Sequence, residues 1–311
     1  MSQIYTVTLN PAVDRELTVP IITYDSVLRS STQSVDFGGK GFNVSRMLKS
    51  LGSESTALGF VGGRSGELLN DGLLSLGIKT DFVWVSGETR TNVSIKSLGD
   101  DHYIKVNEPG PTISEKEQHA LVEKISSLTQ PGDWWVLAGS LPPGVPADYY
   151  AQLISIIQSS GARVVFDASG KALAEGIRAK PFMIKPNDIE LHELTGLLVD
   201  TPEEILAASQ KLQESGIQII AISLGKKGAM LLTEEGKWLA QSPPIQESNP
   251  VGAGDSLVGG MVWSLSQGYP IKEAIGWGVA CGAAAASLSG TAVGSYEYVK
   301  DLKTRTEIRL L

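Results

Sequence analysis

The segment Asn249-Pro250-Val251-Gly252-Ala253-Gly254-Asp255 sets a carboxylate directly after two glycines and ahead of the apolar run Ser256-Leu257-Val258-Gly259-Gly260. Gly252 and Gly254 free the backbone to cup an anion where a helix begins. Asp255 falls in that first turn, where a carboxylate can simply partner the helix N-terminus. Beside an anion nest it could also take a proton from an attacking hydroxyl. A second cluster, Gly38-Gly39-Lys40-Gly41-Phe42-Asn43, precedes helix-like Val44-Ser45-Arg46-Met47-Leu48. Three glycines in four positions let backbone N–H groups approach a ligand closely, and the helix start adds a positive dipole end. Asn43 can donate and accept hydrogen bonds, as a sugar hydroxyl requires, or can cap the turn.

Two further segments follow strand-like runs. Lys185-Pro186-Asn187-Asp188-Ile189-Glu190 has the spacing of a capping box, with Pro186 fixing the backbone near the helix start. Asn187 and Glu190 equally suit hydrated Mg²⁺ and nucleotide phosphates, with Lys185 close by. Ser223-Leu224-Gly225-Lys226-Lys227-Gly228 reads by itself only as a loop before residues 229–232. Other chemistries are excluded. There is no G-x-x-x-x-G-K-[ST], Gly252-x-Gly254 runs into Leu257 and not glycine, and no H-R-D or D-F-G set occurs. His102, His119 and His192 lack metal-ligand spacing.

The elements that must position these segments alternate. Residues 4–9, 55–60, 134–138, 163–167, 183–185 and 217–223 read as strands; 43–51, 66–76, 114–128, 147–159 and 203–214 read as helices. This pattern predicts a doubly wound, mainly parallel α/β sheet with helices on both faces. Ligands then belong beyond the carboxyl ends of the strands, where several of the glycine segments fall. Residues 16–34 and 92–106 break the alternation and read as a small antiparallel sheet inserted in the domain. The uncharged stretch 274–296 is rich in Ala, Gly and Ser, which suits a helix packed tightly on a sheet better than a membrane span.

The 311 residues are 42% hydrophobic and 19% charged, enough apolar matter for a large core and unlike a disordered chain. Lys and Arg number 26 against 34 Asp and Glu, a net charge of −8, so a nucleic-acid partner is not expected. Anionic substrates would need local positive potential. The one cysteine, Cys281, points to a reducing compartment, and the start Met1-Ser2-Gln3-Ile4-Tyr5 carries no signal-like segment, so a cytoplasmic location is expected.

Taken together and in this order, the motifs resemble the ribokinase/PfkB carbohydrate kinase family along essentially the whole chain. The opening Thr8-Leu9-Asn10-Pro11-Ala12-Val13-Asp14, Gly87-Glu88-Thr89-Arg90, Gly110-Pro111 and Ala138-Gly139-Ser140-Leu141-Pro142-Pro143-Gly144 are similar to its phosphosugar branch. The resemblance implies one ribokinase-like domain, residues 1–311, with lid segments at about 15–35 and 91–107. It implies ATP-dependent phosphorylation of a ketohexose phosphate, foremost fructose 1-phosphate to fructose 1,6-bisphosphate. Tagatose-6-phosphate kinase and 6-phosphofructokinase are the alternatives, and a non-catalytic sugar-phosphate sensor is a remote one. By position, Asp255 matches the family's base, and Gly252, Ala253 and Gly254 its anion hole. Lys185, Asn187 and Glu190 match the Mg-nucleotide segment, with Glu190 toward the metal. Ser223, Gly225 and Gly228 match nucleotide-loop positions. Asp14, Gly38, Gly39, Asn43, Arg90 and Ser140 match sugar-phosphate positions, with Lys40 beside them and Arg29 in the lid. ATP and Mg²⁺ are the implied cofactors. K⁺ is a further candidate, although Asn249-Pro250 stands where many members have Asp-Thr. A thin β lid with one apolar face, to which Val93, Ile95 and Ile104 contribute, is buried by pairing with a second copy, so a homodimer through the lid is expected; no membrane partner is expected.

Overall fold

The computed structural model describes residues 2–100 and 102–311. Six strands form the parallel heart of the main sheet, in the spatial order Ile219–Ser223, Met183–Ile184, Arg163–Asp167, Trp134–Ala138, Ile4–Thr8 and Thr56–Val61. Short strands Lys79–Thr80 and Val83–Trp84 extend the last of these in parallel. At the other edge the chain reverses, and Ala229–Leu232, Lys237–Gln241 and Glu307–Leu310 add on antiparallel.

The strands read as unbroken apolar runs because both faces of the sheet are covered. Side chains alternate between two cores. Tyr5, Val7, Trp135 and Leu137 point to one, with Leu121 and Ile125 of helix Glu115–Leu128 and Leu153 and Ile157 of helix Tyr149–Ser159. Ile4, Trp134 and Val136 point to the other, with helices Lys40–Ser50, Ala253–Ser266 and Ile271–Ala286. The adjacent Trp134 and Trp135 therefore serve opposite cores. Trp135 stacks on Tyr5 at 4.3 Å between ring centroids, and Trp134 meets Phe182 edge-on. Helix starts are written locally: Ser114 with Glu117 and Thr201 with Glu204 each close a capping box.

The uncharged stretch supplies all but the first three residues of helix Ile271–Ala286, which is buried for nearly its whole length. Its small residues let it lie close against Ala253–Ser266. A Cβ on Gly282 would stand 3.0 Å from the Ala253 carbonyl, and one on Gly278 would stand 3.0 Å from the Leu257 carbonyl. Among the described residues, no helix is long and apolar enough to cross a membrane.

The inserted sheet has four strands in the order Thr32–Gly38, Ala12–Val19, Arg90–Ser97, Tyr103–Asn107. It differs from the expected antiparallel sheet in one respect. Its central pair, Ala12–Val19 and Arg90–Ser97, is parallel. The reason is connectivity: the chain passes through the main sheet between them, so both leave it in the same direction. Asp14, Asn92 and Asp36 lie side by side on one face. On the opposite face Val35, Val93 and Val106 flank Arg15, followed by Leu17, Ile95 and Ile104.

Candidate active site

Helix Ala253–Ser266 begins on Gly252, whose φ of 80° is the left-handed conformation that glycine tolerates best. No side chain caps this start. The first turn holds Asp255, 8% exposed, beneath the backbone of Gly252–Gly254. Helix Lys40–Ser50 likewise starts on a glycine, Gly39, without a side-chain cap. Its first turn carries Lys40 and Asn43 three residues apart, on one side of the helix. Asn43 Nδ2 donates to Asp255 Oδ2 at 2.8 Å, which joins the two glycine segments across 212 residues of chain.

Behind this pair lies a charge cluster the sequence reading did not assemble. Asp167, at the end of strand Arg163–Asp167, is 2% exposed. Lys40 Nζ stands 3.1 Å from its Oδ1, and Lys185 Nζ stands 3.5 Å from the same oxygen. The Lys185 ammonium also lies against Gly254, where a Cβ would come within 3.4 Å of it. Two lysines and two aspartates thus balance. Burial, and then the charge of Asp167, push the Asp255 carboxyl up to about 6, against the pull of Lys40, Asn43 and Lys185. Burial would lower Lys40, but Asp167, Asp255 and Glu190 outweigh it and hold the ammonium charged. Asp167 follows a strand as the ligand rule requires, but no glycine or motif spacing marks it.

Glu190 and Asn187 form a capping box. Asn187 Oδ1 accepts from the Glu190 amide at 2.7 Å, and Glu190 Oε2 accepts from the Asn187 amide at 2.9 Å. Glu190 still presents its other oxygen, and its charge reaches Lys40. Asn187, Ser223, Gly225 and Gly228 line a cavity of about 750 Å³ that opens onto Ala253 and Gly254. Val279, Ala283 and Ile245 give it an apolar wall. Gly228 is required there: its φ is 100°, and a Cβ would collide with the Ala240 carbonyl.

The inserted sheet turns a polar face inward, built on Asp14 with Asn92 and Asp36 beside it. Asp14 accepts from Asn92 Nδ2 at 2.8 Å, and a Cβ on Gly38 would collide with its Oδ2. Burial raises the Asp14 carboxyl, opposed by Asn92, Lys105 and Arg90. Lys105, from strand Tyr103–Asn107, is a cation the sequence reading missed. Its position emerges only from the register that sets it beside Ser94. Arg90 donates to the carbonyls of Asn10 at 2.8 Å and Glu108 at 3.1 Å. Gly110 has no Cβ to strike Asn10, which accounts for the pairing of those two segments. Ser140 is exposed just beyond Gly139, whose amide bonds the Asp167 carbonyl at 3.0 Å. Arg29 stands exposed on the loop between the first two lid strands, without an ion pair among the described residues. On the segments that meet here, Thr8 Oγ1, Asn10 Oδ1, Asn43 Oδ1, Asn92 Oδ1 and Arg90 Nε are buried with no hydrogen-bond partner. Among the described residues, five further buried polar atoms are unpaired elsewhere, on Arg46, Ser97, Trp135, Gln213 and Ser264.

Residues 7–297 match the pfkB family carbohydrate kinase model. The chain belongs to the pfkB family of carbohydrate kinases. It is thus a phosphotransferase with an alcohol acceptor, as the motifs implied. Among pfkB members, 1-phosphofructokinase of Bacillus subtilis is 41% identical over 99% of this chain and 100% of its own length. That of Borreliella burgdorferi is 37% identical over 91% of each. Phosphofructokinase-2 of Escherichia coli, in complex with potassium, superposes with a TM-score of 0.93 at 32% identity, over 98% of this chain and 99% of that one. Its tetrameric inhibited form gives 0.91 at 32% identity, with the same coverage. The doubly wound sheet expected from the alternation of strands and helices, and the ribokinase-like fold implied by the resemblance, are the fold these pfkB kinases share.

Proposed function

We propose that the chain phosphorylates fructose 1-phosphate with ATP to give fructose 1,6-bisphosphate. The observation that carries the reading is the group of five unpartnered buried polar atoms on Thr8, Asn10, Asn43, Asn92 and Arg90, with Asn43 on Asp255 and the charges of Arg90 and Lys105 felt at Asp14. The two named relatives, both 1-phosphofructokinases, support the choice of sugar. A polyol would satisfy Asn43, Asn10 and Asn92, and its phosphate would take the lid cations. The cavity across the Gly252–Gly254 turn would take the nucleotide.

The chemistry follows from that placement. The acceptor hydroxyl oxygen attacks the terminal phosphorus of ATP, the bond to the ADP oxygen breaks, and the hydroxyl proton passes to Asp255. Asn43 holds Asp255 Oδ2, leaving Oδ1 for that proton. The uncapped amides of Gly254 and Asp255, with Lys185 beside them, stabilise charge on the transferring group. Lys40 balances Asp167 and keeps the cluster neutral before nucleotide arrives. The lid excludes water, which limits wasteful ATP hydrolysis.

Among the described residues no three His, Cys, Asp or Glu side chains converge as a metal cage. Glu190, with one free carboxylate oxygen, therefore fits an Mg²⁺ carried mainly by phosphates and water, whose chemistry is to neutralise the nucleotide charge. A monovalent cation at the Asn249 loop would meet a Gly290 carbonyl that already accepts from Asn249 Nδ2. The reading includes a homodimer in which two lids cover each other's apolar faces, where Val35 is 45% and Val106 59% exposed. A cytoplasmic location accords with the single buried thiol.

The test is ADP release measured across fructose 1-phosphate, tagatose 6-phosphate, fructose 6-phosphate, fructose and ribose. The highest kcat/KM is expected for fructose 1-phosphate. Equal use of free fructose or ribose would defeat the phosphosugar reading.

A further inference from the structure

Arg46 lies outside the roles described so far. It projects from helix Lys40–Ser50, with its side chain 11% exposed, into a closed ring of three side chains. Its Nη2 donates to Asp36 Oδ1 at 2.6 Å and to the Phe37 carbonyl at 3.1 Å. Its Nη1 donates to Thr291 Oγ1 at 2.5 Å, and the Thr291 hydroxyl in turn donates to Asp36 Oδ2. Asp36 belongs to the inserted sheet, paired in register with Asp14 on its polar face. Thr291 belongs to the irregular segment after helix Ile271–Ala286.

That segment has no helix or strand ladder to fix it, so its hydrogen bonds decide its position. Gly290, the neighbour of Thr291, accepts from Asn249 Nδ2 at 3.1 Å, and Asn249 Oδ1 accepts from the Val251 amide at 3.1 Å. Val251 immediately precedes the anion turn at Gly252. One path of hydrogen bonds and adjacent residues therefore runs from the lid through Asp36, Thr291, Gly290 and Asn249 to the turn that would face the transferring phosphoryl group. Thr291 is the only side chain in the segment that Asp36 grips among the described residues.

We propose that Asp36, Arg46 and Thr291 are positioning residues that latch the lid to the loop bracing the anion turn, coupling sugar-phosphate binding to nucleotide binding. This rests on reading the polar face around Asp14 as the sugar-phosphate site. A ligand drawn against Asp14 holds strand Thr32–Gly38 in place, the latch holds Thr291, and Asn249 holds the turn. Coupling of this kind is reciprocal: each ligand tightens the other by the same factor.

The experiment measures the Kd of fructose 1-phosphate by calorimetry, with and without a non-hydrolysable ATP analogue and Mg²⁺. In the wild-type chain the analogue is expected to tighten the sugar phosphate at least about fivefold, the lower end of typical coupling. Thr291→Val keeps the side-chain shape and removes both hydroxyl bonds; it is expected to cut that ratio below about twofold. Thr291→Ser keeps the hydroxyl and should restore the ratio. Asp36→Asn, the second variant should the valine chain fold poorly, should also reduce it. A wild-type ratio of one, or an unchanged ratio in the variants whatever their Tm, overturns the latch. A wild-type chain that binds neither ligand overturns the functional reading itself, and the latch with it.

Discussion

Replacing Asp255 by Asn should make the protein both slower and more stable. The side chain keeps its shape and an acceptor for Asn43, but can no longer take a proton at its carboxylate. The loss of a general base lowers kcat by roughly 10²–10⁴. The stability effect comes from the same burial. Asp255 titrates at about 6 instead of the ordinary 3.8, so its charged form is disfavoured in the folded state. For a raised carboxyl the folded chain holds its proton more tightly than the unfolded one between those two values, so stability falls as pH rises through that window. Above pH 6 the full penalty is present, on the order of 3 kcal/mol at 1.36 kcal/mol per pH unit of displacement. The Asp255→Asn substitution would remove it, raising Tm at pH 7.5 by roughly 5 °C, with little gain at pH 4. Wild-type kcat/KM should fall about tenfold per pH unit below pH 6, as the base becomes protonated. Calorimetric melts at the two pH values and a pH–rate profile read both effects. A substituted chain that keeps near wild-type kcat removes Asp255 from the role of base. One that loses Tm at pH 7.5 shows that the carboxylate is held as a structural ion pair and not as a strained base.

Three other outcomes can be checked directly. Arg90→Ala should raise KM for the sugar phosphate at least about tenfold and leave that for ATP much less changed, since one charge-assisted bond of roughly 1.5–3 kcal/mol exceeds the 1.4 kcal/mol per decade. Arg90→Lys, with no fork to serve the Asn10 carbonyl and a phosphate together, should recover only part of the loss in steady-state kinetics. Glu190→Gln retains a capping-box residue, so Tm should hold while the Mg²⁺ concentration for half-maximal rate rises; a fall in Tm with unchanged Mg²⁺ demand would leave Glu190 a cap alone. Ile95→Asp, on the lid face opposite Asp14, should convert a dimer to a 33 kDa species in light scattering, whereas a wild-type chain already of 33 kDa would refute the lid interface.

The parallel sheet was legible because its strands are short apolar runs separated by helical periods, and 134–138 and 163–167 have the predicted bounds. Helix Lys40–Ser50 begins three residues before the predicted 43, because the cap at Gly39 is a backbone conformation and not a side-chain signal. The mixed lid was not legible: the parallel partner of Ala12–Val19 lies 78 residues further on, at Asp14 and Asn92, and alternation alone does not reveal direction. Glycine segments marked the uncapped starts at Gly39 and Gly252 of the two helices that carry Asn43 and Asp255. Asp167, Lys105 and the ring of Asp36, Arg46 and Thr291 carried no such mark, because each depends on contacts between distant strands, helices and loops.

The small-residue crossing of helices Ala253–Ser266 and Ile271–Ala286 also makes the lone thiol a clock. Cys281 is fully buried at that crossing, 2.6 Å from where a Cβ of Gly260 would be, and burial pushes its thiol well up. Alkylation must wait for the two helices to part. The same helices supply Ala253, Leu257, Val279 and Ala283 to the wall of the large cavity. A ligand that fills that cavity only while the two helices are together slows modification by a factor of 1 + [L]/Kd. The rate at which a thiol reagent is consumed thus counts occupancy of a site the reagent never enters, in a chain with no other sulfhydryl to confuse the signal.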